Sequence, residues 1–243
     1  MTGLFPTTLT EDQIATSLGM APPWCHHFHF KNHSTGGLWD ERHMNFIEDN
    51  LPPLRGKSVL DIGFADGYYS FMAEAHGARS VTGFDLYYRP AAQFVHKVLD
   101  SECTFMEGDI MEWEAPVSFD LVLCMGVFYH VPDIAELFRK VAEKTRPGGL
   151  AVFEGPVMGG RLNRVVPLPR WVGLARHPAL QPNHGFWRPT LSSLKALLWW
   201  AGFEVVEQRF MWERVLLTAR RCGSSRSPIT NIAQTKGKGE SNE

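Results

Sequence analysis

KSVLDIGFADGYYSFMAEAHG, residues 57–77, changes its period in the middle. Lys57–Ile62 is apolar without polar alternation, the pattern of a parallel strand buried on both faces. Asp66 to His76 reads as a helix, and Gly77 stands where a helix stop belongs. Between them, Gly63 and Gly67 mark a tight turn at which backbone can approach a ligand closely. The spacing is not the dinucleotide fingerprint GxGxxG, because Ala65 and Tyr68 occupy its later glycine positions.

The same alternation continues outward. Ser80–Asp85 reads as a second strand, and Pro90 opens a helix that runs to Leu99. Cys103–Glu107 and Phe119–Met125 are the third and fourth strands. Ile134, Leu137, Phe138 and Val141 fall at i, i+3, i+4 and i+7, one apolar stripe of a helix that Pro147-Gly148-Gly149 stops. Leu150–Glu154 is a fifth strand. Thr190 N-caps a helix carrying Leu191, Leu194, Leu197 and Leu198, which Gly202 ends. Phe203–Gln208 and Arg214–Ala219 pair as a hairpin. The order predicts an α/β fold: a doubly wound, mostly parallel sheet with a C-terminal antiparallel hairpin.

A chain of 243 residues suits one such domain, placed here over 39–220 with an insert at 155–189. Residues 1–38 read as a lead-in with a short helix after Thr10, and the polar tail 221–243 is expected to be disordered. With 44% apolar and 21% charged residues, collagen, coiled coil and wholesale disorder are excluded. A net charge of −2 argues against a dedicated nucleic-acid binder, which would be basic overall. Cys25, Cys103, Cys124 and Cys222 form no CxxC pair, and Cys103 and Cys124 lie in apolar strands. That is the pattern of reduced cysteines, so a cytoplasmic setting is expected. MTGLFPTTLTEDQ has no basic start followed by an apolar run, so no secretory signal is expected. No run approaches 18 apolar residues, so no membrane partner is expected.

Ligands of doubly wound sheets bind outside the carboxyl ends of the strands. Asp61-Ile62-Gly63, Asp85, Asp109 and the stretch after Met125 all fall there. Asp85 lies about twenty residues beyond the glycine turn, where an acid accepts hydrogen bonds from a ribose diol. Asp109 ends the third strand, placed to take an adenine amino group with Ile110 against the ring. One aspartate at a strand end also serves as a cap or turn former. Three in register are much harder to read as caps alone.

VLDIGxxxG, an acid after strand two, GDI, FDLVLCMGVFYHVPD and RPGG in this order resemble class I S-adenosylmethionine-dependent methyltransferases, from about Trp39 to Ala219. Within that superfamily, VLDIGFADGYYSF and MGVFYHVPD resemble the tRNA wobble-uridine carboxymethyltransferases and their shorter relatives, which often carry an element like Trp24-Cys25-His26. The resemblance implies S-adenosyl-L-methionine as cofactor. Asp61 and Gly63 then face its methionine end, with Ala65 and Gly67 in the same turn. Asp85 faces the ribose, Asp109 and Ile110 the adenine, and Met125 and Gly126 the sulfonium. Ala65 stands where many relatives have glycine, which narrows the room beside the cofactor.

A sulfonium methyl is already activated, so the protein mainly aligns the acceptor. A general base is needed only for a high-pKa hydroxyl or a carbon acid. Tyr129 and His130, just beyond strand four, are the catalytic candidates: the resemblance turns Tyr129 toward the transferred group, and His130 has the pKa class of a base. His130 reads equally as a histidine packed at a loop corner. Glu154 either reaches the pocket or serves the structure. His26, His27, His29, His33 and His43 cluster near the N-terminus, but no Cys or carboxylate completes a familiar ligand spacing, so no metal is expected. Trp24 and Phe28 read instead as part of a lid over the cofactor.

The insert carries Arg161, Arg164, Arg170, Arg176 and Arg188 with no Asp or Glu, and Trp171, Phe186 and Trp187 lie among them. Such a segment binds phosphates and bases, binds a small anionic or aromatic substrate, or packs as a cap. Arg161, Arg164, Trp187 and Arg188 are the substrate-side candidates. The expected function is methyl transfer to a small or medium-sized, anionic metabolite. Methylation or carboxymethylation of tRNA is the alternative. An NAD-dependent oxidoreductase is disfavoured by the missing GxGxxG and the closing hairpin.

Overall fold

A computed structural model describes residues 5, 7–18, 24–114, 117–158, 170–171 and 187–223. In chain order these form α1 (Glu11–Leu18), β1 (His29–Phe30), β2 (His33–Ser34), α2 (Glu41–Asp49), β3 (Ser58–Ile62) and α3 (Tyr68–Ala75). There follow β4 (Ser80–Asp85), α4 (Pro90–Leu99), β5 (Thr104–Glu107), β6 (Phe119–Met125) and a 3-10 turn at Phe128–His130. The remainder is α5 (Ile134–Lys144), β7 (Thr145–Pro156), β8 (Arg170–Trp171), β9 (Trp187–Arg188), α6 (Leu191–Trp200), β10 (Phe203–Met211) and β11 (Arg214–Arg221).

The seven-stranded sheet has the order β10-β11-β7-β6-β3-β4-β5. Strands β3 to β7 run parallel, and β11 lies antiparallel between β7 and β10. The chain steps from β3 out to β5, then returns to β6 on the other side of β3. The carboxyl ends of β3 and β6 therefore flank the point where the winding reverses, the place such sheets use for ligands. The expected doubly wound sheet with its terminal hairpin is present.

Local sequence explains the elements. All seven residues of β6 are buried: Leu121–Met125 form an apolar run, and the Asp120 carboxylate before it accepts the Ser58 N–H at 2.8 Å. In α5, Ile134, Leu137, Phe138 and Val141 are all buried, and the Asp133 carboxylate accepts the Glu136 N–H at 2.9 Å as N-cap. Thr190 caps α6 by accepting from Ser193 N, and Leu191, Leu194 and Leu198 face inward. One face of the sheet is covered by α5 and α6, the other by α2, α3, α4 and the N-terminal segment.

Some boundaries move. The helix expected from Asp66 begins at Tyr68, because Gly67 adopts a left-handed conformation at φ +83° and closes the turn first. The fifth strand is longer than expected, with Thr145 already paired to Phe119 and Pro156 paired to Arg214. Most of the insert, including Arg161, Arg164 and Arg176, lies outside the described residues, as does the tail from 224 onward. All four cysteines are unpaired. Among the described residues, no helix is long and apolar enough to cross a membrane.

Candidate functional site

At the winding reversal lies a cleft of about 1140 Å³. Its first wall is the turn between β3 and α3. Gly63 sits at φ +73°, and a Cβ there would meet the Val127 side chain at 2.5 Å, so only glycine fits. Ala65 adopts φ +54°, uncommon for a residue with a side chain. Its N–H donates to Asp85 Oδ2 at 2.8 Å, and Leu86 N donates to Asp85 Oδ1 at 2.7 Å. Asp85 thus shapes the loop and lines the cleft at once, each oxygen keeping a lone pair for a ligand. Asp109 does likewise at the end of β5: Oδ1 accepts from Met111 N at 2.9 Å, beside the nearly buried Ile110. Gly63, Ala65, Ile110, Met125 and Gly126 line the same cleft.

Asp61 and Gly67 do not line it. Asp61 is buried behind the turn and accepts from Ser70 Oγ at 2.7 Å. Burial pushes its pKa up to about 6, against the lowering effect of the Ser70 hydroxyl and His26. The side chain β3 contributes at its end is therefore a support beneath the loop. Asp66, which sequence reasoning passed over, has the connecting role. Its Oδ2 accepts the backbone N–H groups of Cys25 and His26 at 2.8 and 2.7 Å, and its Oδ1 lies 2.6 Å from His26 Nδ1. Burial raises the Asp66 pKa, but His26 and these hydrogen bonds outweigh it and hold the carboxyl below its ordinary value.

This clamp sets Cys25 and His26 on the cleft. The expected lid pair is turned inward instead. Phe28 is fully buried, stacked on Phe30 at 5.9 Å and edge-on to Tyr68, while Trp24 packs on Phe28 and Phe94. Apolar rings gain more from this core than from a water-facing lid. His27 and His29 both approach Glu41 Oε1. Among the described residues, no group of three or more His, Cys, Asp or Glu side chains is placed to hold a metal ion.

The opposite half of the cleft is built around Glu154, whose side chain is buried. Arg214 grips it with both arms, Nε to Oε1 at 2.5 Å and Nη2 to Oε2 at 2.9 Å. His43 Nε2 reaches Oε1 at 3.0 Å. Burial alone would raise the Glu154 pKa, but the hydrogen bonds from Arg214 and His43 prevail and keep it below the usual range. The guanidinium lies 4.7 Å from the Trp39 ring and 5.3 Å from the Tyr129 ring, with Nη2 3.4 Å from the Tyr129 hydroxyl. Burial raises the Tyr129 pKa, with Arg214 opposing, so this hydroxyl stays protonated. His130 is exposed at the rim, its ring 4.1 Å from that of Tyr129. Partial desolvation and then the Arg214 charge lower its pKa. Trp187 and Arg188 line the same end, with Arg188 paired to Glu213.

Tyr129, His130, Glu154, Trp187 and Arg188 are thus brought together as candidates for one wall. Arg214, Trp39 and the role of His43 were missed. Their signal was Glu154 itself: an acid inside an apolar strand needs a cation beside it.

A family model described as a methyltransferase domain matches residues 38–208. The chain belongs to that family. Over 122 residues, this methyltransferase-domain chain is 35% identical to tRNA U34 carboxymethyltransferase of Desulfotalea psychrophila, covering 47% of this chain and 37% of that relative. Over 114 residues it is 33% identical to ubiquinone biosynthesis O-methyltransferase of Stutzerimonas stutzeri, covering 45% and 48%. The chain spans less than half the length of each. An S-adenosylmethionine dependent methyltransferase from Mesorhizobium loti superposes with a TM-score of 0.59 at 22% identity, over 73% of this chain and 96% of that one. That likeness is one of fold.

Proposed function

We propose that this methyltransferase-domain chain transfers the methyl group of S-adenosyl-L-methionine to a small or medium-sized anionic acceptor. The carrying observation is the two-sided cleft. Its volume of about 1140 Å³ lies just above the roughly 300–1,000 Å³ usual for a single-ligand pocket, which suits a cofactor with an acceptor beside it. The residues of the first half suit a nucleoside: Asp85 and Asp109 offer carboxylate lone pairs, Ile110 an apolar surface, and Gly63 bare backbone on the cleft. S-adenosyl-L-methionine supplies a methyl group already activated by its sulfonium. In this reading Asp85 holds the ribose, Asp109 and Ile110 the adenine, and the turn from Gly63 to Gly67, with Asp61 beneath it, the methionine end. Met125 and Gly126 border the sulfur.

The second half orients the acceptor. Trp39, Tyr129 and Trp187 offer flat apolar faces, and beside them Arg214 and Arg188, paired to Glu154 and Glu213, offer their remaining N–H donors. Tyr129 is the hydroxyl donor nearest that charge, and His130 flanks it. Arg161 and Arg164 join the proposal from sequence alone, as does a cytoplasmic setting.

Isothermal titration with S-adenosylhomocysteine and with NAD tests the cofactor. Binding of the first and not the second is expected; the reverse result overturns the reading. The 35% identical relative named as a tRNA U34 carboxymethyltransferase favours one second reading, tRNA as acceptor. Labelled methyl transfer to bulk tRNA and to a panel of aromatic acids separates the two. A tRNA contact would weaken steeply with salt through counterion release, whereas a small acid would not.

A further inference from the structure

His43 has an imidazole nitrogen that the fold does not use. Its side chain is buried on α2, one ring nitrogen is engaged, and Nδ1 has no hydrogen-bond partner among the described residues. Buried polar atoms are normally paired, so an orphan beside a ligand cleft asks what pairs with it. His43 lines that cleft, with Nδ1 itself covered until a ligand reaches it.

The tautomer follows from Glu154. Its carboxylate, gripped by Arg214 through both oxygens, accepts hydrogen bonds, so the His43 nitrogen 3.0 Å from it carries the proton. Nδ1, which has no acceptor for a proton of its own among the described residues, is assigned the lone pair. A carboxylate that fixes one imidazole nitrogen and leaves the other basic is the arrangement by which serine hydrolases orient their general base. Tyr129, kept protonated, cannot take that part. Location agrees as well. Glu154 and Met125 are register partners on adjacent parallel strands, so the carboxylate stands one strand spacing from the residue that borders the sulfur in the proposed reading. The ring of Trp39 lies nearly parallel to the imidazole with centroids 5.0 Å apart, and Trp212 lies 6.4 Å away, which holds its plane.

We infer that His43 is the general base of the reaction, oriented by Glu154, and that the acceptor atom is a hydroxyl oxygen. The inference rests on the methyl-transfer reading above. As the acceptor oxygen bonds to the methyl carbon, the sulfur–carbon bond breaks and its electron pair stays on sulfur. The hydroxyl proton passes to Nδ1. The positive charge that leaves the sulfonium reappears on the imidazolium, where Glu154 offsets it against the neighbouring Arg214. Water takes the proton once the product has left. An amine acceptor would reach the site with its lone pair available and would need no such base.

Two measurements test this. In long-range ¹H–¹⁵N spectra of the labelled wild-type protein with S-adenosylhomocysteine, the His43 ring should show a protonated Nε2 and an unprotonated Nδ1. This reading needs no variant, and a protonated Nδ1 overturns the inference. The second probe is 4-nitrophenol, whose absorbance reports loss of its proton, added to the same complex. Ionisation on binding is expected in the wild type and should fall about tenfold or more in His43→Gln and in Glu154→Gln, whose amide donates to Nε2 and reverses the tautomer. No ionisation in the wild type, or ionisation equal in the variants, overturns it. Calorimetry on the same samples keeps the two proposals apart. If S-adenosylhomocysteine fails to bind the wild type, the methyl-transfer reading falls; if it binds while the His43 results fail, only this inference does.

Discussion

Asp66 and His26, 40 residues apart in sequence, meet in a 2.6 Å contact between Oδ1 and Nδ1, and through it the N-terminal segment is fastened to the glycine turn. Cys25 and His26 line the cleft only because this carboxylate also holds their backbone N–H groups.

Asp66→Ala should therefore destabilise the fold by about 1–3 kcal/mol, since it strands the His26 N–H and ring nitrogen it buries. The depressed Asp66 pKa adds a sign. Its stabilisation is present above the unfolded value of about 3.9 and is lost as pH falls through the lower folded value. Urea unfolding checks the size, and a loss under about 1 kcal/mol would contradict the clamp.

Asp85→Ala should weaken S-adenosylhomocysteine at least tenfold, because a charged pair of ribose hydrogen bonds is worth roughly 1.5–3 kcal/mol. The variant also frees the Ala65 and Leu86 N–H groups, so Asp85→Asn, which keeps an acceptor, is the control. Unchanged affinity in a folded Asp85→Ala protein would remove Asp85 from the ribose.

Ala65 at φ +54° pays a steric penalty that glycine avoids. A left-handed residue with a Cβ costs roughly 1–2 kcal/mol, and glycine loses about half of that back to chain entropy. Ala65→Gly should raise the melting temperature by a few degrees. A lower melting temperature would show that the Ala65 methyl packs usefully.

Asp61 predicts a window in pH. Its folded pKa is about 6, above the unfolded value, so between pH 4 and 6 the folded state holds more protons. This residue's contribution is complete below about pH 4 and fades as pH rises through 6. Asp61→Asn should remove that slope, a difference of up to about 3 kcal/mol at pH 7. Parallel stability curves for the two proteins across the window would refute it.

The sheet could be read because each strand and helix announces itself locally. The apolar run Leu121–Met125 in β6, a stripe in α5 and a glycine turn after β3 need no distant information. The acids at strand ends were legible for the same reason, and Asp85 and Asp109 do line the cleft. The choice between Asp61 and Asp66 was not legible. One points into the support and the other back to the N-terminus, a matter of turn geometry rather than residue type. Glu154 and His43 are 111 residues apart, and Glu154 and Arg214 are 60 apart. No local pattern predicts that such positions touch.

The two halves of the cleft have different addresses along the chain. Its acid-lined half is drawn mostly from one uninterrupted stretch, Ile62 to Gly126, whereas the facing wall is gathered from Trp39, His43, Tyr129, Glu154, Arg188 and Arg214, most of them on either flank. In the proposed reading, exchanging those flanks leaves the donor's cradle in one piece. On that reading divergence rewrites which molecule receives the methyl group while the apparatus that delivers it is inherited whole, and a graft of flanks between relatives should carry acceptor preference with it.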